Sequence, residues 1–92
     1  MSERIKFSFP KPDAEGVAHD IALSIFSAEC ILGRPQTLLD IAYYLTDDGR
    51  RAVLDVRGPA GDTALRVFVG LSTARFGDGG FRVERRMQNG AA

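Results

Sequence analysis

The chain has 92 residues, enough for one small domain around a single hydrophobic core, and we treat residues 1–92 as one domain with a loose tail at 88–92. Hydrophobic residues make up 45% and charged residues 26%, which is typical of a globular protein and excludes a disordered or fibrous chain. Twelve basic residues balance twelve acidic ones, and this zero net charge argues against a dedicated nucleic-acid binder. The apolar runs are too short to cross a bilayer, so we expect no membrane partner.

Arginine supplies ten of the twelve basic residues. Such a bias is typical of bacterial, GC-rich genomes, and it is also typical of surfaces that recognise planar anions. Residues 47–92 hold eight basic and six acidic residues, whereas residues 1–46 hold four and six. Of the two explanations for the arginine bias we favour the codon usage of a GC-rich genome.

The first predicted elements are a strand and a long helix. Apolar and polar residues alternate over residues 4–9, which indicates a half-buried strand. A helix is predicted from the capping residue Asp13 to about Leu32, with Gly33 as its stop. Its main apolar stripe faces the core, and its polar side, with Asp20 and Ser24, is narrow.

A β-hairpin is predicted in the middle of the chain. Residues 37–46 alternate as a second strand, and residues 51–57 alternate as its return strand. The pair Asp48-Gly49 between them readily forms a tight turn. In this register Leu39, Ile41, Tyr43 and Leu45 face the core.

Residues 62–77 fit either a strand or a second helix. We favour the helix, because a strand would leave residues 72–80 as a long structureless loop in a small domain. Residues 81–86 then alternate as a last strand. The predicted fold is α+β, a ferredoxin-like βαββαβ two-layer sandwich whose four-stranded antiparallel sheet carries two helices on one face.

Two surfaces are candidate protein interfaces. Leu23, Phe26 and Cys30 form a second apolar patch on the long helix, on the side that a two-layer fold turns to solvent. Tyr44 and Val53 are expected on the open face of the sheet. Either surface suits a protein partner, a second copy of the chain or a different protein.

The open sheet face is also a candidate anion site. Its predicted arginines are Arg51, Arg57, Arg82 and Arg86, and guanidinium groups bind phosphate or carboxylate bidentately. Nucleic acid is a weaker expectation, because Tyr44 is the only aromatic residue predicted on that face to stack a base.

Nothing in the sequence predicts catalysis, a metal or a cofactor. His19 and Cys30 are the only histidine and cysteine, and a lone residue of each type on a helix is ordinarily structural or solvated. We therefore expect a non-catalytic cytoplasmic interaction or regulatory domain, working as a homodimer or as an accessory subunit. The alternatives are a module that binds a small ligand or polyanion on the arginine-rich face and a small dimeric α+β-barrel enzyme.

Overall fold

The computed structural model describes residues 2–88. It is a small α+β fold with a four-stranded antiparallel sheet and three helices. The elements in chain order are β1 (Ser2–Ser8), α1 (Ala14–Leu32), α2 (Arg34–Asp40), β2 (Ile41–Leu45), β3 (Arg51–Val56), α3 (Gly58–Phe76) and β4 (Arg82–Gln88). Of the predicted tail, Gln88 is the last residue of β4 and residues 89–92 lie outside the described part of the chain.

The sheet has the strand order β2-β3-β1-β4, so β1 and β3 lie in the centre and β2 and β4 lie at the edges. Every neighbouring pair is antiparallel. Side chains alternate between the two faces, and α1 and α3 cover the face that carries Ile5, Phe7 and Leu54. The opposite face of the sheet has no element packed on it among the described residues.

The core lies between this sheet and the two long helices. Val17 and Ile21 of α1 and Phe68 of α3 are buried against the sheet. Phe7 meets Phe68 edge to face, with ring centroids 4.8 Å apart. Five of the six phenylalanines belong to this core or pack against it, namely Phe7, Phe9, Phe68, Phe76 and Phe81.

Both predicted long helices are confirmed, and the strand alternative for residues 62–77 is wrong. The carboxylate of Asp13 accepts a hydrogen bond of 3.0 Å from the Gly16 amide and caps α1, which ends before Gly33. Helix α3 begins earlier than the sequence indicated, at Gly58, with Pro59 in its first turn, where a missing N–H leaves no bond unmade.

The third helix corrects the prediction of only two. Residues 34–40 form α2, so the strand predicted over residues 37–46 begins only at Ile41. Pro35 lies in the first turn of α2, and the Thr37 hydroxyl donates to the Gly33 carbonyl at 2.8 Å. The alternation that suggested a strand here was misleading, because Leu39 is 65% exposed rather than turned to the core.

The narrow polar side of α1 packs against α3. Asp20 is 3% exposed, and its carboxylate accepts two hydrogen bonds from the Arg75 guanidinium, at 2.7 and 3.0 Å. Arg75 also reaches the Asp13 carboxylate at 3.3 Å. The outer side of α1 is consequently left without a neighbouring helix among the described residues.

Candidate functional site

Exposed apolar side chains are concentrated in one stretch of the chain. Ten large hydrophobic residues are exposed in the described part of the protein, and eight of them fall between residues 23 and 44. These eight are Leu23, Phe26, Ile31, Leu32, Leu38, Leu39, Tyr43 and Tyr44. They belong to the second half of α1, to α2 and to β2. Exposed apolar residues of this kind are candidates for contact with a partner.

The predicted patch on α1 lies at the protein surface. Phe26 is 60% exposed, Leu23 is 39% exposed, and Cys30 is exposed on the same side of the helix. The other predicted interface residues, Tyr44 and Val53, pair across β2 and β3 on the open face of the sheet. Because the sheet separates them, the structure places the predicted interface residues on two different surfaces.

Strand β2 forms one edge of the sheet, and two backbone hydrogen bonds at its ends fix how it pairs with β3. The Thr46 amide donates to the Arg51 carbonyl at 3.0 Å. At the other end the Arg57 amide donates to the Asp40 carbonyl at 2.9 Å. Each bond joins two residues that are directly opposite each other in the β2–β3 pairing. Hydrogen-bonded and non-hydrogen-bonded pairs alternate along such a pairing.

This alternation determines which backbone groups of β2 remain free. Ala42 and Tyr44 are in the bonded positions and use their amide and carbonyl groups on β3. Ile41, Tyr43 and Leu45 therefore direct theirs outward, at the edge of the sheet. We call these outward backbone groups and the exposed ring of Tyr43 the β2 edge.

The two edges of the sheet differ in charge. The outer strand β4 carries Arg82, Glu84, Arg85 and Arg86, and charged side chains on an edge strand discourage further strand pairing. The sequence of β2 is Ile-Ala-Tyr-Tyr-Leu, with no charged residue and no proline. The β2 edge thus lacks the features that ordinarily protect an edge strand.

The open face of the sheet carries three cross-strand rows of side chains. One row consists of Arg51, Ser8 and Arg82, with the serine on the central strand. The next row consists of Val53, Lys6 and Glu84, and the third consists of Asp55, Arg4 and Arg86. The second and third rows each contain both a cationic and an anionic side chain, whereas the first row has two cations and no anion.

The first row forms part of a broad open concavity of about 860 Å³. Its lining residues are Ser8, Phe9, Tyr44, Thr46, Asp47, Asp48, Arg50, Arg51 and Arg82. We call it the arginine concavity. Neither Arg51 nor Arg82 has a carboxylate within ion-pairing distance among the residues described.

The other two predicted anion-site arginines lie elsewhere. Arg57 is at the opposite end of β3, where its Nε donates to the Leu39 carbonyl at 3.2 Å. Arg86 is four residues from Arg82 along β4, about 13 Å away, in the row of Arg4. The predicted set of four therefore divides, and only Arg51 and Arg82 share one site.

The β2–β3 turn forms one wall of the arginine concavity. The Asp48 carboxylate accepts from the Thr46 hydroxyl at 2.9 Å and from the Arg50 amide at 3.0 Å, and the bond from that amide is the main reason that the pKa of Asp48 is lowered. Gly49 has φ +72° and lies against the start of α1, where a Cβ would overlap Ala14. The turn is therefore held in place from both sides.

Sequence reasoning missed two parts of this site. It placed Ser8 on the open face only as one residue of many, and it assigned Arg50 to the turn alone. The register of β1 against β3 puts Ser8 directly beside Arg51, and this long-range pairing has no local signal in the sequence. The concavity itself depends on how the turn is held, which the alternation pattern does not contain.

The residue types that bind metals or act as nucleophiles lie apart from one another in the described residues. No three His, Cys, Asp or Glu side chains within residues 2–88 lie close enough together to hold a metal ion. His19 and Cys30 are both exposed on α1. None of the helices in this part of the chain is long and apolar enough to span a membrane. Comparison of the sequence with protein-family models and with curated proteins found no match.

Proposed function

We propose that this protein is a non-catalytic interaction domain that works as a homodimer, joined through the β2 edges of two copies. The observation that carries this proposal is the unprotected β2 edge, uncharged and bordered by exposed apolar side chains, in a sheet whose other edge is charged. A strand that leaves its amide and carbonyl groups outward is a template for pairing with another strand.

We also propose that the fold is a ferredoxin-like arrangement with α2 added. The strand order β2-β3-β1-β4, antiparallel throughout, supports this assignment. So does the chain order, because α1 and α2 connect β1 to β2 and α3 connects β3 to β4. In such an arrangement β2 is an edge strand, which the dimer requires.

The geometry of β2 suits pairing with itself. Two copies of one strand that pair in antiparallel fashion are related by a two-fold axis, which is the symmetry of most homodimers. Centred on Tyr43, the pairing joins Ile41 of one copy to Leu45 of the other. All three residues direct their backbone groups outward, so each of the three pairs is a hydrogen-bonded pair.

The charge of the β2 edge is compatible with a second copy as its partner, and neighbouring residues can extend the contact area. The net charge is zero and β2 has no charged residue, so two copies meet at this edge without like-charge repulsion. A stable interface needs about 800 Å² from each chain, more than a five-residue strand supplies. Leu38 and Leu39, near the end of α2 and close to β2 in the chain, are both more than 60% exposed and can add to the contact.

We also propose that the protein is not an enzyme and that it is located in the cytoplasm. The one histidine and the one cysteine are exposed on α1, away from the arginine concavity on the open face of the sheet. A single exposed thiol is suited to a reducing compartment, and we therefore propose a cytoplasmic protein.

Size-exclusion chromatography with inline light scattering tests the dimer. We expect the wild type to have twice the 10.0 kDa mass of one chain. Tyr43→Pro removes an outward N–H from β2 and leaves the bonds to β3 intact, so we expect a folded monomer. Val83→Pro is the matched control. The bond from the Phe9 amide to the Arg50 carbonyl fixes the alternation along β1, which places the Val83 N–H outward on the β4 edge. We expect this variant to remain dimeric.

A third variant distinguishes the two apolar surfaces. Phe26→Asp places a charge on the outer side of α1 and leaves the β2 edge unchanged. A monomeric wild type contradicts the homodimer. A dimer that survives Tyr43→Pro and is lost in Phe26→Asp contradicts the β2 edge and assigns the contact to Leu23, Phe26 and Cys30 instead. Circular dichroism confirms that each variant is folded.

A further inference from the structure

We propose that the arginine concavity binds a small phosphorylated molecule with a planar ring, of which a nucleoside monophosphate is the type. This site lies beyond the proposed dimer and does not depend on it. The phosphate group is held between Arg51 and Arg82 above the Ser8 hydroxyl, and the ring stacks on Tyr44. A volume of about 860 Å³ falls in the usual range for small-molecule sites.

The spacing of the first row suits one phosphate group. Arg51 and Arg82 lie on the two strands that flank Ser8, and neighbouring strands are about 4.8 Å apart. The two arginine Cα atoms are therefore about 10 Å apart, and two side chains that lean inward can place their guanidinium groups on opposite sides of one phosphate. The serine hydroxyl between them is available as a third donor.

The charge of the neighbouring rows confines the site. In the third row the Arg4 guanidinium donates to both oxygens of Asp55, at 2.8 and 3.2 Å. In the second row Lys6 is directly opposite Glu84. The first row is the one with two cations and no anion, which indicates a site for a single phosphate rather than a track for a nucleic-acid backbone.

Tyr44 gives the site its preference for a planar ring. Its side chain is exposed on the open face, and it is two residues along β2 from the position opposite Arg51. Such diagonal neighbours are about 7–8 Å apart, so a ring stacked on Tyr44 lies next to Arg51, the arginine on that side of the bound phosphate. An exposed tyrosine ring stacks bases without regard to their sequence.

The polar wall supplies further partners for the ligand. Asp47 and Asp48 line the same concavity, and carboxylates accept hydrogen bonds from hydroxyl or amine groups. The Arg50 guanidinium donates to the Pro10 carbonyl at 3.4 Å, and this bond holds its side chain at the border of the concavity. A nucleoside carries such hydroxyl groups, whereas inorganic phosphate does not use this wall.

Amide NMR titration of the ¹⁵N-labelled protein with AMP, inorganic phosphate and adenosine tests the proposal. We expect AMP to shift the amides of Ser8, Arg51 and Arg82 most strongly. Adenosine, without the phosphate, is expected to bind at least about tenfold more weakly, because each charge-assisted hydrogen bond contributes about that factor. Higher salt is expected to weaken AMP binding through screening.

Matched variants assign the roles. Arg82→Gln is expected to weaken AMP about tenfold, while Arg86→Gln, on the same strand and face but two rows away, is expected to change it less than about twofold. Tyr44→Leu is expected to weaken AMP about tenfold and to leave the affinity for inorganic phosphate unchanged.

Three results overturn the proposal. The first is that millimolar AMP shifts no amide of the concavity. The second is that Arg82→Gln and Arg86→Gln weaken AMP equally, which indicates diffuse electrostatic attraction rather than a site. The third is that a single-stranded RNA oligomer binds across all three rows while AMP does not. The molar mass of each variant is also measured by light scattering, so that a loss of binding is not confused with a change of oligomeric state.

Discussion

Gly16 makes room for a guanidinium group in the contact between α1 and α3. A Cβ at this position would lie 2.5 Å from Nη1 of Arg75, whose guanidinium is already held by the buried carboxylate of Asp20. The same Cβ would also meet the Asp13 carboxylate that caps α1. A residue that looks like a weak point in a helix is therefore required by the packing.

Two glycine substitutions are expected to have opposite effects on stability. Gly70→Ala, in α3 with open space around it, should raise the free energy of unfolding by about 0.5–1 kcal/mol through helix propensity. Gly16→Ala has the same gain in propensity, but it should lower the free energy of unfolding by about 1 kcal/mol because of overpacking. Urea unfolding of both variants measures this. An equal gain at the two sites contradicts the role given to Gly16.

The ends of β1 and β4 are joined by an ion pair. The Glu3 carboxylate accepts two hydrogen bonds from Arg85, at 2.8 and 2.9 Å, and these bonds are the main cause of the lowered pKa of Glu3. The bonds to Glu3 are also the main cause of the raised pKa of Arg85, to which the negative charge of Asp62 makes a smaller contribution. A carboxyl group whose pKa is lowered on folding stabilises the fold above its ordinary pKa, and this contribution is lost as the pH falls through the folded pKa.

The pair predicts a pH-dependent effect of Glu3→Gln. At neutral pH the variant should be less stable than the wild type by less than about 1 kcal/mol, because Arg85 is largely solvent-exposed. Below the lowered pKa that Glu3 has in the folded protein the difference should vanish, since the wild-type carboxyl is then protonated. Thermal unfolding at the two pH values, at one fixed protein concentration, measures the change. A difference that persists at low pH rules out the ionic contribution.

The local sequence pattern was sufficient to predict the secondary-structure elements that short-range interactions determine. The hairpin of β2 and β3 follows from alternation around Asp48-Gly49, and α1 follows from its cap and its apolar stripe. The short helix α2 was missed because Leu39 and Ile41 imitate a strand. Pro35 and the bond from Thr37 to Gly33 start a helix there instead.

The candidate surfaces belong to the whole molecule and could be predicted only in part. The sequence indicated that Phe26 faces solvent and that Arg51 and Arg82 share a sheet face. It placed Tyr43 in the core, whereas Tyr43 is exposed, because the extent to which the helices cover an edge strand depends on the packing of the whole molecule. The long-range contact between Asp20 and Arg75 was hidden for the same reason.

At this scale the two proposed sites lie on the same sheet and use different parts of it. The β2 edge consists of backbone groups of residues whose side chains are on the helix-covered face of the sheet. The arginine concavity is lined by side chains of the open face. Tyr44 is close to both sites, because it follows Tyr43 on β2 and its ring lies on the open face. Its own backbone groups bond to β3 and are not part of the β2 edge. The two proposed sites therefore do not compete for the same atoms.

Disulfide trapping at Tyr43 tests the symmetric pairing of β2 most directly. In a hydrogen-bonded antiparallel pair the two Cα atoms are about 5.5 Å apart, which a disulfide can span. With Cys30→Ser in the background, we expect Tyr43→Cys to oxidise to a covalent dimer and Val83→Cys, on the charged edge, to remain monomeric on a non-reducing gel. No covalent dimer at Tyr43, or equal amounts at both positions, would contradict the account.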